Sequence, residues 1–198
     1  MSDAPTSASD PPVRPPAPSA YRLALGLWPG RSQLQQVAPS VFISNAAGAR
    51  SLEALTALGI THVLNCATEL RPAHPSAFTY HTAALVDVPS CDLVGPLGPA
   101  LAFVGAAVGA GGVVLVHCAK GESRSGAVVV AHRMRALGET YALALAAVRE
   151  ARPIVEPNEG FQRQLLDLEA SGYFQGAEGE ASALTTTTTS TTATRLTP

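Results

Sequence analysis

The chain has 198 residues, 46% of them hydrophobic, which suits one domain with tails and a core that needs no disulfide or metal support. Thirteen Lys and Arg against fifteen Asp and Glu leave a formal charge of −2, so no global basic field points to nucleic acid. Three cysteines at unrelated positions form neither a disulfide framework nor a zinc pattern, and no apolar run reaches the ~18 residues of a membrane span.

The first twenty residues hold six prolines among Ser, Ala and Asp and predict a disordered, proline-rich arm over 1–31. They show no charged-then-apolar leader, and Ser2 excludes the glycine of a myristoylation site, so no membrane anchor is expected. A cytoplasmic protein is expected, with nuclear entry open to a chain this small. Val41-Phe42-Ile43 predicts a strand, with Leu34 to Val37 as a partner across Ala38-Pro39-Ser40. Ser51 caps a helix carrying Leu52, Leu55 and Leu58, which stops at Gly59. Thr61 to Asn65 and Phe78 to Leu85 are β-rich, and Pro72 and Pro75 make the stretch from Glu69 to Ser76 a loop. Leu97, Leu101, Val104 and Val108 fall at helical spacing, although Gly98, Gly105 and Gly109 each cost roughly 1 kcal/mol against alanine.

Gly111-Gly112 turns the chain into a short buried strand, Val113 to Val116, and Ser125 to Leu137 predicts the helix after it. Thr140 caps a second helix through Leu145, Val148 and Ala151. Asn158 caps a third, whose Phe161, Leu165 and Leu168 share a face and which ends at Gly172. The unbroken threonine run from Thr185 to Thr189 then predicts a disordered Thr-rich tail over 174–198. Strands alternating with helices predict an α/β domain with a central, mostly parallel sheet. The ligand loop of such a sheet lies at the carboxyl end of a central strand.

That loop is His117-Cys118-Ala119-Lys120-Gly121-Glu122-Ser123-Arg124-Ser125. A strand running through a loop into a helix N-terminus converges backbone N–H groups on one concavity, a ready anion site. The same field stabilises a thiolate and makes Cys118 a nucleophile at neutral pH. Arg124 supplies a planar fork for two phosphate oxygens. Gly121 permits angles that a Cβ would oppose, and Ser123 braces the loop by hydrogen bonding. Nucleophile, cradle and clamp within eight residues point to phosphate-ester chemistry. His117 is a poor general base for Cys118, because neighbours on a strand point to opposite faces. No metal-ligand spacing joins it to His62, His74, His81 or His132.

The pattern His-Cys-x5-Arg-Ser resembles the signature loop of the cysteine-dependent protein tyrosine phosphatase superfamily, and Gly-x-Ser-Arg-Ser resembles its dual-specificity members. Asp87, 31 residues before Cys118 in Val86-Asp87-Val88-Pro89, stands where that family carries its general acid. The segment Arg152-Pro153 to Leu165, with Pro157-Asn158-Glu159-Gly160-Phe161, is similar to the family's Arg-Pro…Pro-Asn-x-Gly-Phe…Gln-Leu stretch. The resemblance runs from about Gln33 to Gly172 and implies a catalytic domain over 32–173 with the cysteine phosphatase fold, as in small atypical members.

It implies a two-step hydrolysis of phosphotyrosine and of phosphoserine or phosphothreonine in proteins, with no cofactor and no metal. Cys118 attacks phosphorus, Arg124 binds the phosphoryl oxygens with the amides of Ala119 to Ser123, and Asp87 protonates the leaving oxygen. Ser125 helps expel the thiolate, or serves as an ordinary helix N-cap, or does both. His117 orders the loop, and Asn158 caps its helix and braces the loop from behind. Asp92 is the rival acid, disfavoured by spacing.

Lys120 and Glu122 depart from the usual loop residues and nearly cancel in charge. Ala131-His132-Arg133-Met134 replaces the usual Ala-Tyr-Leu-Met and puts local packing in question. Cys66, on a strand beside the loop, is either a plain buried thiol or a partner that traps Cys118 under oxidation. Two rival functions stay open: a phosphoinositide or other non-protein phosphatase, supported by Lys120, and a catalytically silent phosphopeptide-binding module.

Overall fold

The computed structural model describes residues 34–175. The arm expected over 1–31 lies outside the described residues, as does the tail expected from 174 except for residues 174 and 175. Phe174 is 9% exposed and belongs to the main core cluster, so the packed chain runs past the expected boundary at 173.

Five strands build the sheet: β1 (Gln35–Ala38), β2 (Val41–Ser44), β3 (His62–Ala67), β4 (Thr79–Leu85) and β5 (Val114–His117). Their order is β1-β2-β5-β3-β4, with β1 antiparallel at one edge and the other pairs parallel. The mostly parallel sheet expected from the alternation of elements is therefore present, with β5 at its centre. Each central strand is buried on both faces, which is why consecutive apolar residues run along it instead of alternating with polar ones, as in Val63-Leu64 and Val114-Leu115-Val116.

Period-two alternation sorts those runs between two layers. Val41, Ile43, Leu64, Cys66, Val114 and Val116 enter the main core. Phe42, Val63 and Leu115 enter a smaller core with Leu55 and Leu58. The smaller face is covered by α1 (Ala46–Ala49) and α2 (Leu52–Ala57). The main core is closed by α3 (Val94–Gly109), α4 (Arg124–Leu137), α5 (Tyr141–Ala151) and α6 (Glu159–Ala170).

The caps read from sequence are in place. Ser51 accepts from the Ala54 N–H, Thr140 from that of Leu143 and Asn158 from that of Phe161. Two details differ. The α1 turn was not expected, and it rests on Asn45, whose side chain accepts the Gly48 N–H at 2.9 Å. In α3, an internal Pro99 adds to the glycines against the helix, yet Leu97, Leu101 and Val104 are at most 2% exposed. Burial of that face outweighs local propensity.

The unusual His132-Arg133 pair leaves packing intact, since Ala131 and Met134 are fully buried. Arg133 points outward to donate to the Val37 carbonyl at 2.7 Å and to pair with Glu139, tying α4 to β1.

Two predictions concern stability. A Cβ at Gly160, in the first turn of α6, would lie 1.8 Å from the Pro89 carbonyl oxygen, in the loop that carries Asp87. Gly160→Ala is expected to cost roughly 1–3 kcal/mol by overpacking, read as a lower melting temperature, and an unchanged melt would refute this close approach. His117, at the end of β5, is 4% exposed, and burial pushes its imidazole down from 6.5 to about 4. The unfolded chain therefore binds this proton first, so stability present above pH 6.5 is lost as pH falls towards 4. Between pH 6.5 and 5 the loss should be about 2 kcal/mol. Urea melts of His117→Gln should show a shallower decline over that window, and equal slopes would remove His117 as the cause.

Candidate active site

β5 delivers Cys118 to the carboxyl end of the sheet, and the chain enters α4 six residues later. What shapes the loop between them is where its carbonyls go. The Ala119 carbonyl accepts the Ala46 N–H at 3.1 Å, and that of Glu122 accepts the Glu156 N–H at 3.4 Å. The Lys120 and Gly121 carbonyls accept from the Arg152 guanidinium at 3.0 and 2.7 Å. With four successive carbonyls turned to the framework, planar peptides turn the intervening N–H groups the other way. The Gly121 N–H accordingly donates to Cys118 Sγ at 3.2 Å. Gly121 has φ +72°, and a Cβ there would lie 2.6 Å from the Ser44 carbonyl oxygen, so its glycine is required twice over.

Cys118 is 1% exposed, and its sulfur receives a second hydrogen bond from Ser125 Oγ at 3.2 Å. α4 begins at Arg124, so Ser125 lies inside the first turn and is not the N-cap. The alternative of an ordinary cap for Ser125 is thus excluded, and its hydroxyl is spent on the thiol. Ser123 holds the cap position without capping. Its hydroxyl donates to Asp87 Oδ1 at 2.6 Å and accepts the Asn158 N–H at 3.1 Å.

Asn158 works on three groups at once. Its Oδ1 caps α6 through the Phe161 N–H at 3.0 Å, its backbone reaches Ser123, and its Nδ2 donates to Asp87 Oδ1 at 3.0 Å. Asp87 is thereby fixed on one oxygen while the other, Oδ2, faces Arg124 Nε at 3.8 Å. Asp92 is placed otherwise: its carboxylate takes the Val94 and Gly95 N–H groups and caps the start of α3.

Arg124 is 6% exposed and held by a residue that sequence reasoning did not single out. Both oxygens of Glu69 accept from its Nη1 at 2.7 Å. Burial works against charge on both partners, yet the bond between them prevails, holding the Glu69 carboxyl below its ordinary value and Arg124 above its own. Arg124 Nε is buried with no hydrogen-bond partner. That orphaned donor, beside the sulfur loop, is suited to an oxyanion.

Arg152 entered the sequence reading only as part of the Arg152-Pro153 segment, with no role of its own, and a signal for that role existed. It follows Ala144 and Val148 at four-residue spacing, on the apolar face of α5, where a cation must find partners. Glu69 left no such trace, because its partner lies 55 residues away.

His117 faces away from Cys118, towards Ala46, Ala49 and Arg50 on the α1 side, as strand alternation required. Lys120 is exposed and Glu122 half-buried at the rim. Cys66 lies opposite Cys118, one step beyond the Asn65–His117 pair of β3 and β5. It is a free, fully buried thiol, pushed well up by burial and then by Cys118.

Comparison with known proteins agrees with this geometry. Residues 41–171 match the family model "Dual specificity phosphatase, catalytic domain". Dual specificity protein phosphatase 1 of Arabidopsis thaliana is 41% identical over 131 residues, which span 66% of each protein. Dual specificity phosphatase 28 of Homo sapiens is 38% identical over 152 residues, 76% of this chain and 86% of that one. The crystal structure of human DUSP28 superposes with a TM-score of 0.68 at 37% identity, covering 73% of this chain and 96% of that structure. On the family match and on this identity, the chain belongs to the dual specificity phosphatase family, whose catalytic domain it carries.

Proposed function

We propose that this chain is a protein phosphatase that hydrolyses phosphotyrosine and phosphoserine or phosphothreonine esters through a cysteinyl-phosphate intermediate. One observation carries the reading. Cys118 Sγ sits between two donors, the Gly121 N–H and the Ser125 hydroxyl, each at 3.2 Å, beside a buried Arg124 Nε that lacks a partner. Two fixed donors converge on the attacking sulfur, and the vacant donor suits a phosphoryl oxygen.

In the first step the Cys118 thiolate forms the S–P bond as the P–O bond to the leaving group breaks. Asp87 delivers its proton to the departing oxygen. Glu69 holds Arg124 by Nη1, which leaves the Nε edge and the loop amides to take the equatorial oxygens, where charge redistributes during transfer. In the second step water attacks phosphorus, Asp87 takes its proton, and the S–P bond breaks. The Ser125 hydroxyl then supports the departing thiolate. Ser123 and Asn158 keep Asp87 within reach of both steps, and His117 orders the strand end.

The catalytic unit spans 32–173 extended through Phe174. A cytoplasmic setting, open to nuclear entry, suits three free cysteines of which one must stay reduced. No helix among the described residues is long and apolar enough to cross a membrane.

Cys118→Ser is expected to abolish turnover and keep phosphopeptide binding, since the amide cradle and Arg124 remain and an unassisted hydroxyl is a poor nucleophile. Turnover at the parent rate would rule out the thiolate route. Asp87→Asn is expected to slow phosphothreonine peptides by about 10²–10⁴-fold and activated aryl phosphates far less, because an alkoxide needs the proton to leave. Asp92→Asn, acting on a helix cap, should leave that ratio near its parent value. The opposite ranking of the two variants would transfer the acid role to Asp92.

A further inference from the structure

A groove of about 520 Å³ opens beside the catalytic loop, on the side of the sheet that carries α1. Its size is within the range of ligand sites. Two seams bind it to the reaction centre. His117, one of its walls, immediately precedes Cys118, and Glu69, another, holds Arg124. Its floor is fastened to the loop by the Ala46 N–H to Ala119 carbonyl bond at 3.1 Å. Its two banks are clasped to each other, because His74 Nε2 lies 2.9 Å from the Arg50 carbonyl oxygen.

The charge balance of the groove is unusual for a chain whose net charge is −2. Arg50 and Arg71 stand on opposite banks, and among the described residues neither guanidinium has an ion-pair or hydrogen-bond partner. The carboxylate of the groove is Glu69, and both of its oxygens are committed to Arg124. The positive charge on the two banks is therefore uncompensated from within. His117, 4% exposed, lies in the same wall with its Nδ1 buried and without a hydrogen-bond partner. Leu70, Ala46 and Ala49 supply apolar surface between these groups, which fits the stems of amino-acid side chains.

We infer that this groove is a subsite for an anionic group that the substrate peptide carries close to its phosphorylated residue. The inference rests on the phosphatase reading above and gives it a substrate class. A carboxylate side chain and a second phosphate offer the same chemistry to Arg50 and Arg71, a planar or tetrahedral oxyanion for two guanidinium forks. A peptide is favoured over an inositol polyphosphate because the groove alternates cations with apolar surface. At the catalytic loop itself the cation other than Arg124, Lys120, is offset by Glu122, whereas a polyphosphate headgroup needs further cations gathered there.

The test uses the full chain with Cys118→Ser, which reads binding without turnover, and fluorescent phosphotyrosine peptides that differ in one neighbouring position. Glutamate, phosphoserine or alanine occupies that position in the three arms. Peptides with either anion should bind roughly 5- to 30-fold more tightly than the alanine peptide at low salt, the range expected of two charge-assisted contacts made by exposed side chains. That ratio should shrink as ionic strength rises. Adding Arg50→Gln and Arg71→Gln together should bring it to within about twofold of unity, and each alone should remove part of it. Both side chains are exposed, and a melting curve of each variant verifies its fold.

Which anion gains more separates a carboxylate site from a phosphate site. Equal binding of all three peptides overturns the inference, as does a preference that survives the double substitution. So does a double variant that loses affinity for an inositol polyphosphate while keeping its peptide ratio. Hydrolysis of an aryl phosphate by the unsubstituted chain is measured alongside. Its absence would sink the phosphatase reading, whereas the peptide ratio speaks for the groove alone.

Discussion

The buried guanidinium of Arg152 is the constraint from which the geometry of the site follows. A cation that is 1% exposed costs several kcal/mol of desolvation unless oxygens surround it closely. Here the oxygens include the carbonyls of Lys120 and Gly121 and the side-chain amide of Gln35 at 2.6 Å. Satisfying that charge forces the two loop carbonyls outward, and peptide planarity forces the neighbouring amides inward. The anion cradle is thus the reverse side of a buried charge being satisfied. Burial lowers the Arg152 guanidinium from its ordinary value, while Cys118 and Glu122 act in the opposite sense.

A second balance surrounds Arg124. Its guanidinium lies between two carboxylates that hold it unequally, Glu69 by two short bonds and Asp87 across 3.8 Å. The tight partner fixes the side chain, and the loose one leaves an edge free for a ligand. Asp87 is held from behind by Ser123 and Asn158, so its loose relation to Arg124 is imposed by α6 and the catalytic loop together. Pro89 in the same loop meets Gly160 of α6 backbone to backbone, a contact that only a missing side chain allows.

Much of this was legible in the chain. Local signals with a local cause translated directly: the caps at Ser51, Thr140 and Asn158, the stops at Gly59 and Gly172, and the apolar run of β5. The nucleophile and clamp were equally plain, because Cys118, Arg124 and the glycine between them are contiguous. Parallel strand order was reachable only as a class, since nothing in β3 says that β5 inserts between it and β2. Helix α3 tested the limits of propensity, with its prolines and glycines overruled by the face it buries. Ser125 carried two readings, a hydroxyl for the thiolate and a helix cap, and its hydrogen bond to the sulfur selects the first. Glu69 and Gln35 were invisible because their partners lie 55 and 117 residues away, and such pairings exist only once the fold has brought them together.

That last separation bears on how the protein comes into being. The bond between Gln35 and Arg152 joins the first described strand to the end of α5 across 117 residues. Chain closure over such a span comes late, after local helices and neighbouring strands have formed. A ribosome-bound chain that has emerged only as far as α4 already contains Cys118, Gly121 and Arg124, yet lacks the cation that turns the loop carbonyls outward. The catalytic segment is therefore synthesised well before it can take its working shape. A nascent chain at that stage holds its nucleophile in a loop whose two central carbonyls still lack their cation.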